Sequence, residues 1–333
     1  MAFLYLTEQG SVLKKTGQRL VVSKEETTLL DIPASKVEAV LVFGNVQITT
    51  QAAHLLLEQG IEMALLTSHG RLLGQLTSPA TKNVVLRVAQ HSKRCDPAFV
   101  HGLAQAMVAG KIANCIEFVR EFAHNHEETD LSTERARLTA LGPEVLVTAD
   151  LPALLGLEGT AARTYFQAFA KMIRHGFNFE GRRRRPSPDP VNALLSLGYT
   201  MVYNEILSLL DGIGFDPYLG FYHQVHYGHA TLASDLLEEF RCPLTDRFTL
   251  SLINNRIFCE QDFYLHSGSG DVYLKDVSLK RYFGEYERFV TRPVQTTGEG
   301  REYTYRLLFR RQAERLKQSL TATEPYRPYR FHW

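Results

Sequence analysis

The stretch FVHGLAQAMVAGKIANCIEFVREFAH, residues 99–124, decides how the chain divides. Its apolar residues recur every three to four positions, the period of an α-helix packed on one side, and the run is far longer than a strand. The same period continues in AARTYFQAFAKMI (161–173) and begins upstream in NVVLRVAQ (83–90). Before that the pattern is different. FLYL, SVLKK, RLVVS, TTLLDI and VEAVLVFG alternate apolar and polar residues in short runs separated by EQG, TGQ, KEE and PAS, which predicts antiparallel strands. TTQAAHLLLEQG (49–60) reads as one short helix closed by Gly60, and IEMALLT and RLLGQL return to strand on either side of SHG. The expected class is therefore α+β: a small β-rich, sandwich-like domain over 1–78, then a larger, mostly helical domain over 79–333.

The chain's 333 residues, 44% hydrophobic and 22% charged, suffice for one large or two ordinary globular domains. No run of about 18 consecutive apolar residues and no basic-then-apolar leader stands out, so a cytoplasmic protein is expected. Cys95, Cys115, Cys242 and Cys259 form no C-x-x-C pair, which argues against a disulfide scaffold or a four-thiolate zinc site. A net charge of +1 argues against uniform polyanion binding, yet the distribution is uneven. Residues 121–160 hold eight acids against two bases, residues 271–333 thirteen bases against eight acids, and Arg182, Arg183, Arg184 and Arg185 stand in a row within NFEGRRRRPSPDP. The stretch GSGDVYLKDVSLKRYF (268–283) leaves room for a brief hairpin. The tail TEPYRPYRFHW, rich in proline, arginine and aromatics, reads as extended or disordered and open to a partner.

The chemistry concentrates in GFYHQVHYGHATLASDLLEEF, residues 220–240. On a helix at about 100° per residue, Leu232, Leu236, Leu237 and Phe240 make an apolar stripe, while Asp235 and Glu238 lie about 60° apart on one flank. Two carboxylates one turn apart are better explained with a cation nearby; an ordinary solvated face is the alternative, and Glu239 fits that face. His223 can fold back from a glycine-flanked turn, and imidazole with carboxylates suits Mg²⁺ or Mn²⁺. His223, His226 and His229, three apart, form the rival zinc pattern, and a small-molecule metallohydrolase would use it; no established signature has that spacing. Glu158, set between Leu157 and Gly159 at the head of an apolar helix, needs a partner, either Arg163 or a metal.

Taken in order, KIANCIEFVR (111–120), GLEGTAARTYF (156–166), RRRRPSPDPVNALLSLGYTMVYNEI (182–206), GFYH (220–223) and LASDLLEEFR (232–241) resemble the CRISPR-associated spacer-acquisition integrase (Cas-one) family over nearly the whole chain. The resemblance implies Glu158, His223 and Glu238 as catalytic metal ligands, with Asp235 as the acid beside them. It implies Mg²⁺ or Mn²⁺ and joining of DNA-fragment 3′-hydroxyl ends to a CRISPR repeat by transesterification, with nuclease activity at the same site. Its partners are double-stranded DNA, a second copy of the chain through the β-rich domain, and a small Cas-two protein. Arg163, Arg182, Arg183, Arg184, Arg185 and Arg241 become candidates for DNA contact, joined by Lys280, Arg281, Arg310, Arg311 and Arg315. Asn192 and Tyr203 match positions near the site, there to orient a phosphate or to pack under the ligands. Two departures stand out: Tyr222 replaces the usual leucine or isoleucine, and VHYGHA (225–230) replaces a more basic or proline-bearing loop. A non-catalytic nucleic-acid scaffold of the same fold is the competing reading.

Overall fold

A computed structural model describes residues 2–68, 70, 72–77, 83–183, 187–295, 302–322 and 324–332. The chain is α+β and separates into two compact units, Met1–Ala80 with Leu279–Glu287, and Thr81–Ser278 with Arg288–Trp333.

The first unit contains β1 (Ala2–Leu6), β2 (Val12–Thr16), β3 (Arg19–Lys24), β4 (Thr27–Pro33), β5 (Val37–Phe43), β6 (Gln47–Ile48), α1 (Thr50–Glu58), β7 (Glu62–Leu66) and β8 (Leu72–Leu76). They form two four-stranded sheets, ordered β1-β5-β7-β8 and β4-β3-β2-β6. Antiparallel pairing holds for β2–β3, β3–β4 and β7–β8, but β1–β5, β5–β7 and β2–β6 are parallel. Alternation reports a half-buried strand and not the direction of its neighbour. Parallel pairing needs a long crossover, and here β2–β4 intervene between β1 and β5, and α1 between β5 and β7. Thr49 caps α1 by accepting from Ala52 N at 3.3 Å. Leu13 and Leu20 from one sheet, Val40 from the other, and Leu55 and Leu56 from α1 share one fully buried core. Residues 279–287 join this unit through Phe283, whose ring lies 4.5 Å from Phe43 and 5.1 Å from Tyr5, and through the Lys280–Glu8 ion pair.

The second unit is built on α2 (Val84–Arg94), α3 (Pro97–Asn125), α4 (Ser132–Val147), α5 (Leu151–Met172), α6 (Pro190–Ile213), α7 (Thr231–Leu237), α8 (Arg247–Asn254), α9 (Asp276–Val290, shared with the first unit) and α10 (Tyr305–Thr321). A hairpin, β9 (Phe263–Leu265) with β10 (Val272–Leu274), precedes α9, and β11 (Val294–Gln295) pairs with β12 (Glu302–Tyr303). The three longest helices start the same way. Asp96, Asp150 and Asp189 each accept from a backbone amide of the first turn, with a proline at one of the first two helical positions. α6 has the length and composition of a membrane span, but 67% of its most apolar window is buried against protein, as befits a core helix. α7 does not run on into α8: Arg241–Asp246 form a π-helical turn in which both Leu244 N and Thr245 N reach Phe240 O. Pro243, with no amide hydrogen, sits inside it, and such turns recur at functional sites.

The C-terminal tail is extended as expected, but docked on its own unit. Tyr326, Tyr329 and Phe331 are buried, and the Tyr329 ring stacks on Phe240 at 5.3 Å. Asn114 of α3 donates to Glu239 O at 2.9 Å and Tyr329 O at 3.1 Å, and accepts from Phe331 N at 2.8 Å. Gly110 is needed beneath it, since a Cβ there would stand 2.6 Å from Pro328 Cβ. Glu239 is no solvated acid: it is fully buried and accepts from Tyr326 Oη, Tyr329 N at 2.6 Å and Gln312 Nε2 at 2.8 Å, and burial outweighs these bonds to push its carboxyl up to about 7. Asn114→Ala removes three buried hydrogen bonds and strands their backbone partners. It should lower unfolding free energy in urea by about 2–4 kcal/mol and expose the tail to limited proteolysis.

Candidate metal centre

Four segments of the second unit deliver the polar groups: Lys111 from the middle of α3, Glu158 from α5, His223 from the loop before α7, and Glu238 from the end of α7. Glu158 lies in the third turn of α5, not at its head, because Asp150 and Pro152 start the helix earlier. Its partner is Lys111, whose ammonium contacts Glu158 Oε1 and stands 2.6 Å from Glu238 Oε2. Arg163 is exposed on the same helix.

Asp235 and Glu238 leave one flank of α7 but do different work. Asp235 is fully buried, and its Oδ2 accepts from Phe221 N at 2.6 Å and Tyr222 N at 3.0 Å. Its Oδ1 accepts from His223 N at 2.9 Å and lies 2.7 Å from His223 Nδ1. An acceptor-only carboxylate at Nδ1 makes that nitrogen the N–H and leaves Nε2 as the free lone pair. Gly220 permits this approach, because a Cβ there would lie 2.7 Å from Asp235 Oδ2. Asp235 is thus the anchor that orients the histidine.

Glu238 receives Arg241 Nε at 2.8 Å and faces His223 Nε2 at 3.6 Å. Burial pushes its carboxyl up, but Arg241 and Lys111 outweigh burial and hold it at about 2. Its folded value lies below the ordinary 4.5, so this charge stabilises the fold above that pH and ceases to as pH falls toward about 2. For Lys111, burial acts downward and the two glutamates more strongly upward, so the ammonium stays charged.

These residues line a cavity of about 730 Å³ whose walls also carry Arg163, Arg182, Arg183 and Arg241. Tyr199, beneath it, holds the Arg182 guanidinium 5.3 Å and the Arg241 guanidinium 4.7 Å from its ring, and its hydroxyl donates to buried Asp246. Burial, against the hydrogen bond from Tyr199, pushes Asp246 up to about 6.

As they stand, no three His, Cys, Asp or Glu side chains among the described residues are grouped closely enough for one ion. The donors nonetheless fit a hard divalent cation. Two carboxylates and an imidazole with a free Nε2 face one cavity, Glu238 Oε2 is buried without a well-directed hydrogen bond, and a cationic ammonium already stands between the glutamates.

The family model described as CRISPR associated protein Cas1 matches residues 4–288. The chain belongs to the Cas1 family. It is 35% identical over 333 residues to CRISPR-associated endonuclease Cas1 3 of Thermus thermophilus, covering 98% of this chain and 96% of that protein. Among solved structures it is similar to the Cas6-RT-Cas1–Cas2 complex, with TM-score 0.84 and 28% identity over all of this chain and 36% of that one. It shares its fold with a casposase bound to integration product, with TM-score 0.86 at 20% identity, covering 98% of this chain and 93% of that one.

Within this Cas1-family chain, Arg182 is occupied: it donates to Asn192 Oδ1 at 2.9 Å and to Ser196 Oγ at 3.1 Å. Asn192 in turn accepts from Arg183 N and donates to Gly181 O and Asp189 Oδ2, so it shapes the arginine loop. Arg184 and Arg185 lie outside the described residues. Tyr203 accepts from Ala230 N at 3.0 Å and stacks on His229, away from the cavity lining. Arg311 lies over the Tyr303 ring, Arg315 donates to Gln312 and Arg327 O, and Arg281 and Arg310 are exposed. Sequence reading missed Lys111, Tyr199 and Asp246. A signal existed for the first: a lone lysine inside AQAMVAGKIANC must be buried with an acid. Asp235→Asn should show what the anchor does. An amide nitrogen must then face backbone N–H donors, costing about 1–3 kcal/mol, and ¹⁵N NMR should show His223 losing its single Nδ1–H tautomer.

Proposed function

We propose that this chain is a CRISPR adaptation integrase: a metal-dependent enzyme that joins the 3′-hydroxyl ends of short DNA fragments to a repeat by transesterification and also cleaves DNA at the same site. The observation supporting it is the convergence of Glu158, His223 and Glu238 on one arginine-walled cavity. Mg²⁺ or Mn²⁺ held by those three would stabilise the charge growing on phosphorus and lower the pKa of the attacking hydroxyl. The chain's own residues supply the rest. Asp235 fixes His223 with Nε2 toward Glu238; Arg241 holds Glu238 ionised; Arg163 and Arg183 on the cavity wall take DNA phosphates, while Arg182 braces the loop that presents them. No side-chain nucleophile is required, because the 3′-oxygen attacks phosphorus directly and the displaced 3′-oxygen of the repeat leaves with the proton.

The relative in the Cas6-RT-Cas1–Cas2 complex suggests the partners. This chain works in the cytoplasm on double-stranded DNA, as a homodimer through its β-rich unit, with a small Cas2-type protein bridging dimers. Strand transfer of a short duplex into a repeat-bearing plasmid, with and without that partner, tests the reading. Glu158→Ala, His223→Ala and Glu238→Ala should each reduce joining by at least about 100-fold, and chelation should abolish it. Joining by all three variants at wild-type level would overturn the site and leave a DNA-binding scaffold.

Lys111 competes with the divalent ion for Glu158 and Glu238. Lys111→Met should therefore melt earlier than wild type in chelator, since two buried carboxylates lose a counter-charge. It should also gain more thermal stability from Mn²⁺ than wild type does, because stabilisation grows with the logarithm of ligand over dissociation constant. Equal Mn²⁺-induced shifts in calorimetry would show that the ammonium and the ion do not compete.

A further inference from the structure

The loop after His223 departs from the family pattern, and its structure gives the departure a use. Gln224–Gly228 are all exposed. His229 N donates to His226 O at 3.2 Å, and Gly228 has φ +74°, as the third residue of a type II turn requires, which puts Tyr227 at the second position. Both legs of the turn are pinned. Asp235 holds the backbone and ring of His223 on one side. On the other, Ala230 N donates to Tyr203 Oη at 3.0 Å, His229 Nε2 lies 3.0 Å from Ser234 Oγ, and the His229 ring stacks on Tyr203 at 5.9 Å and 5°. Between the fixed legs the Tyr227 side chain is fully exposed, with Val225 half exposed beside it in sequence.

A single exposed aromatic is ordinary on a protein surface. Three features set this one apart. It rides on an anchored turn, so a contact made there costs little ordering entropy. No aspartate or glutamate occurs between Pro217 and Ser234, so the loop offers nothing to repel a phosphodiester chain. It is four residues from His223, a reach of at most about 14 Å at 3.3–3.6 Å per residue. At 3.4 Å per stacked nucleotide, that is within about four nucleotides of the phosphate His223 serves.

Building on the integrase reading, we infer that Tyr227 is a base-stacking residue: its ring takes the face of an unpaired base near the reacting end of the DNA strand, steadying that strand across the cavity. Tyrosine suits the task because every base presents a π-face, so stacking holds a strand without demanding a sequence.

The test uses the full chain and a duplex with a short 3′ overhang carrying 2-aminopurine at each of its last four positions in turn. Wild type, Tyr227→Phe and Tyr227→Trp should change the emission at one position on binding, and Tyr227→Ala should not. Tyr227→Ala should weaken overhang binding roughly 5- to 150-fold, the range for loss of one base–aromatic stack. The salt dependence of binding should stay unchanged, because tyrosine neutralises no phosphate. Emission and affinity identical in wild type and Tyr227→Ala, with wild type joining DNA normally, would overturn the stacking role alone. A shallower salt slope in Tyr227→Ala would overturn it too. Failure of wild type to bind or join DNA would overturn the integrase reading and the stacking role together.

Discussion

Two glutamates facing one cavity inside a helical core repel each other unless positive charge stands between them. For two unit charges 4 Å apart at an effective dielectric of 20, repulsion is on the order of 4 kcal/mol, comparable to the whole stability of many domains. Lys111 and Arg241 answer that constraint here. The consequences spread outward from them. Asn114, one turn on from Lys111 along α3, meets the C-terminal tail. Arg241 and Arg182 both lie over the Tyr199 ring, which ties the arginine loop to the site. Charge balance at the cavity, tail docking and the posture of the basic loop form one connected arrangement.

Asp235, Glu238 and Glu239 lie within five consecutive positions, and each meets a different environment because the helix is broken among them. Asp235 is still in α7, where its carboxylate can gather three successive loop amides and an imidazole. Glu238 stands at the helix end and points into the cavity. Glu239, one residue on, turns to the tail, where a tyrosine hydroxyl, an amide side chain and a backbone N–H meet it. The helix ends at Leu237, the chain turns through Glu238–Phe240, and the C-terminal tail with Gln312 covers Glu239, so an acid that reads as solvated from sequence is buried.

Much of this was legible from residue order. The change from alternation to a 3.6-residue period divided the strands from the helices, and the aspartate–proline starts of α3, α5 and α6 follow from capping chemistry. The GFYH and LASDLLEEFR motifs named residues that the fold does bring to one place. The remainder depends on partners distant in sequence. Parallel strand direction is decided by crossovers and leaves no mark on the alternation within a strand. Lys111 stands out as a lone lysine in an apolar run, but its partners Glu158 and Glu238 lie 47 and 127 positions away and only the fold brings them to it. The tail looks disordered by composition because its anchors, Asn114, Glu239 and Gln312, all lie outside it.

The histidine loop shows how a fixed site and a variable rim can be built from adjacent residues. Gly220 and Asp235 leave His223 no freedom: one supplies the space, the other every acceptor, and both the backbone and the ring are held. Four residues later the side chain touches nothing, yet the turn that carries it is as well anchored, through Tyr203 and Ser234. Rigid legs with a free tip allow the tip residue to change without disturbing His223. A change at the tip therefore leaves the backbone and ring of His223 where Asp235 holds them.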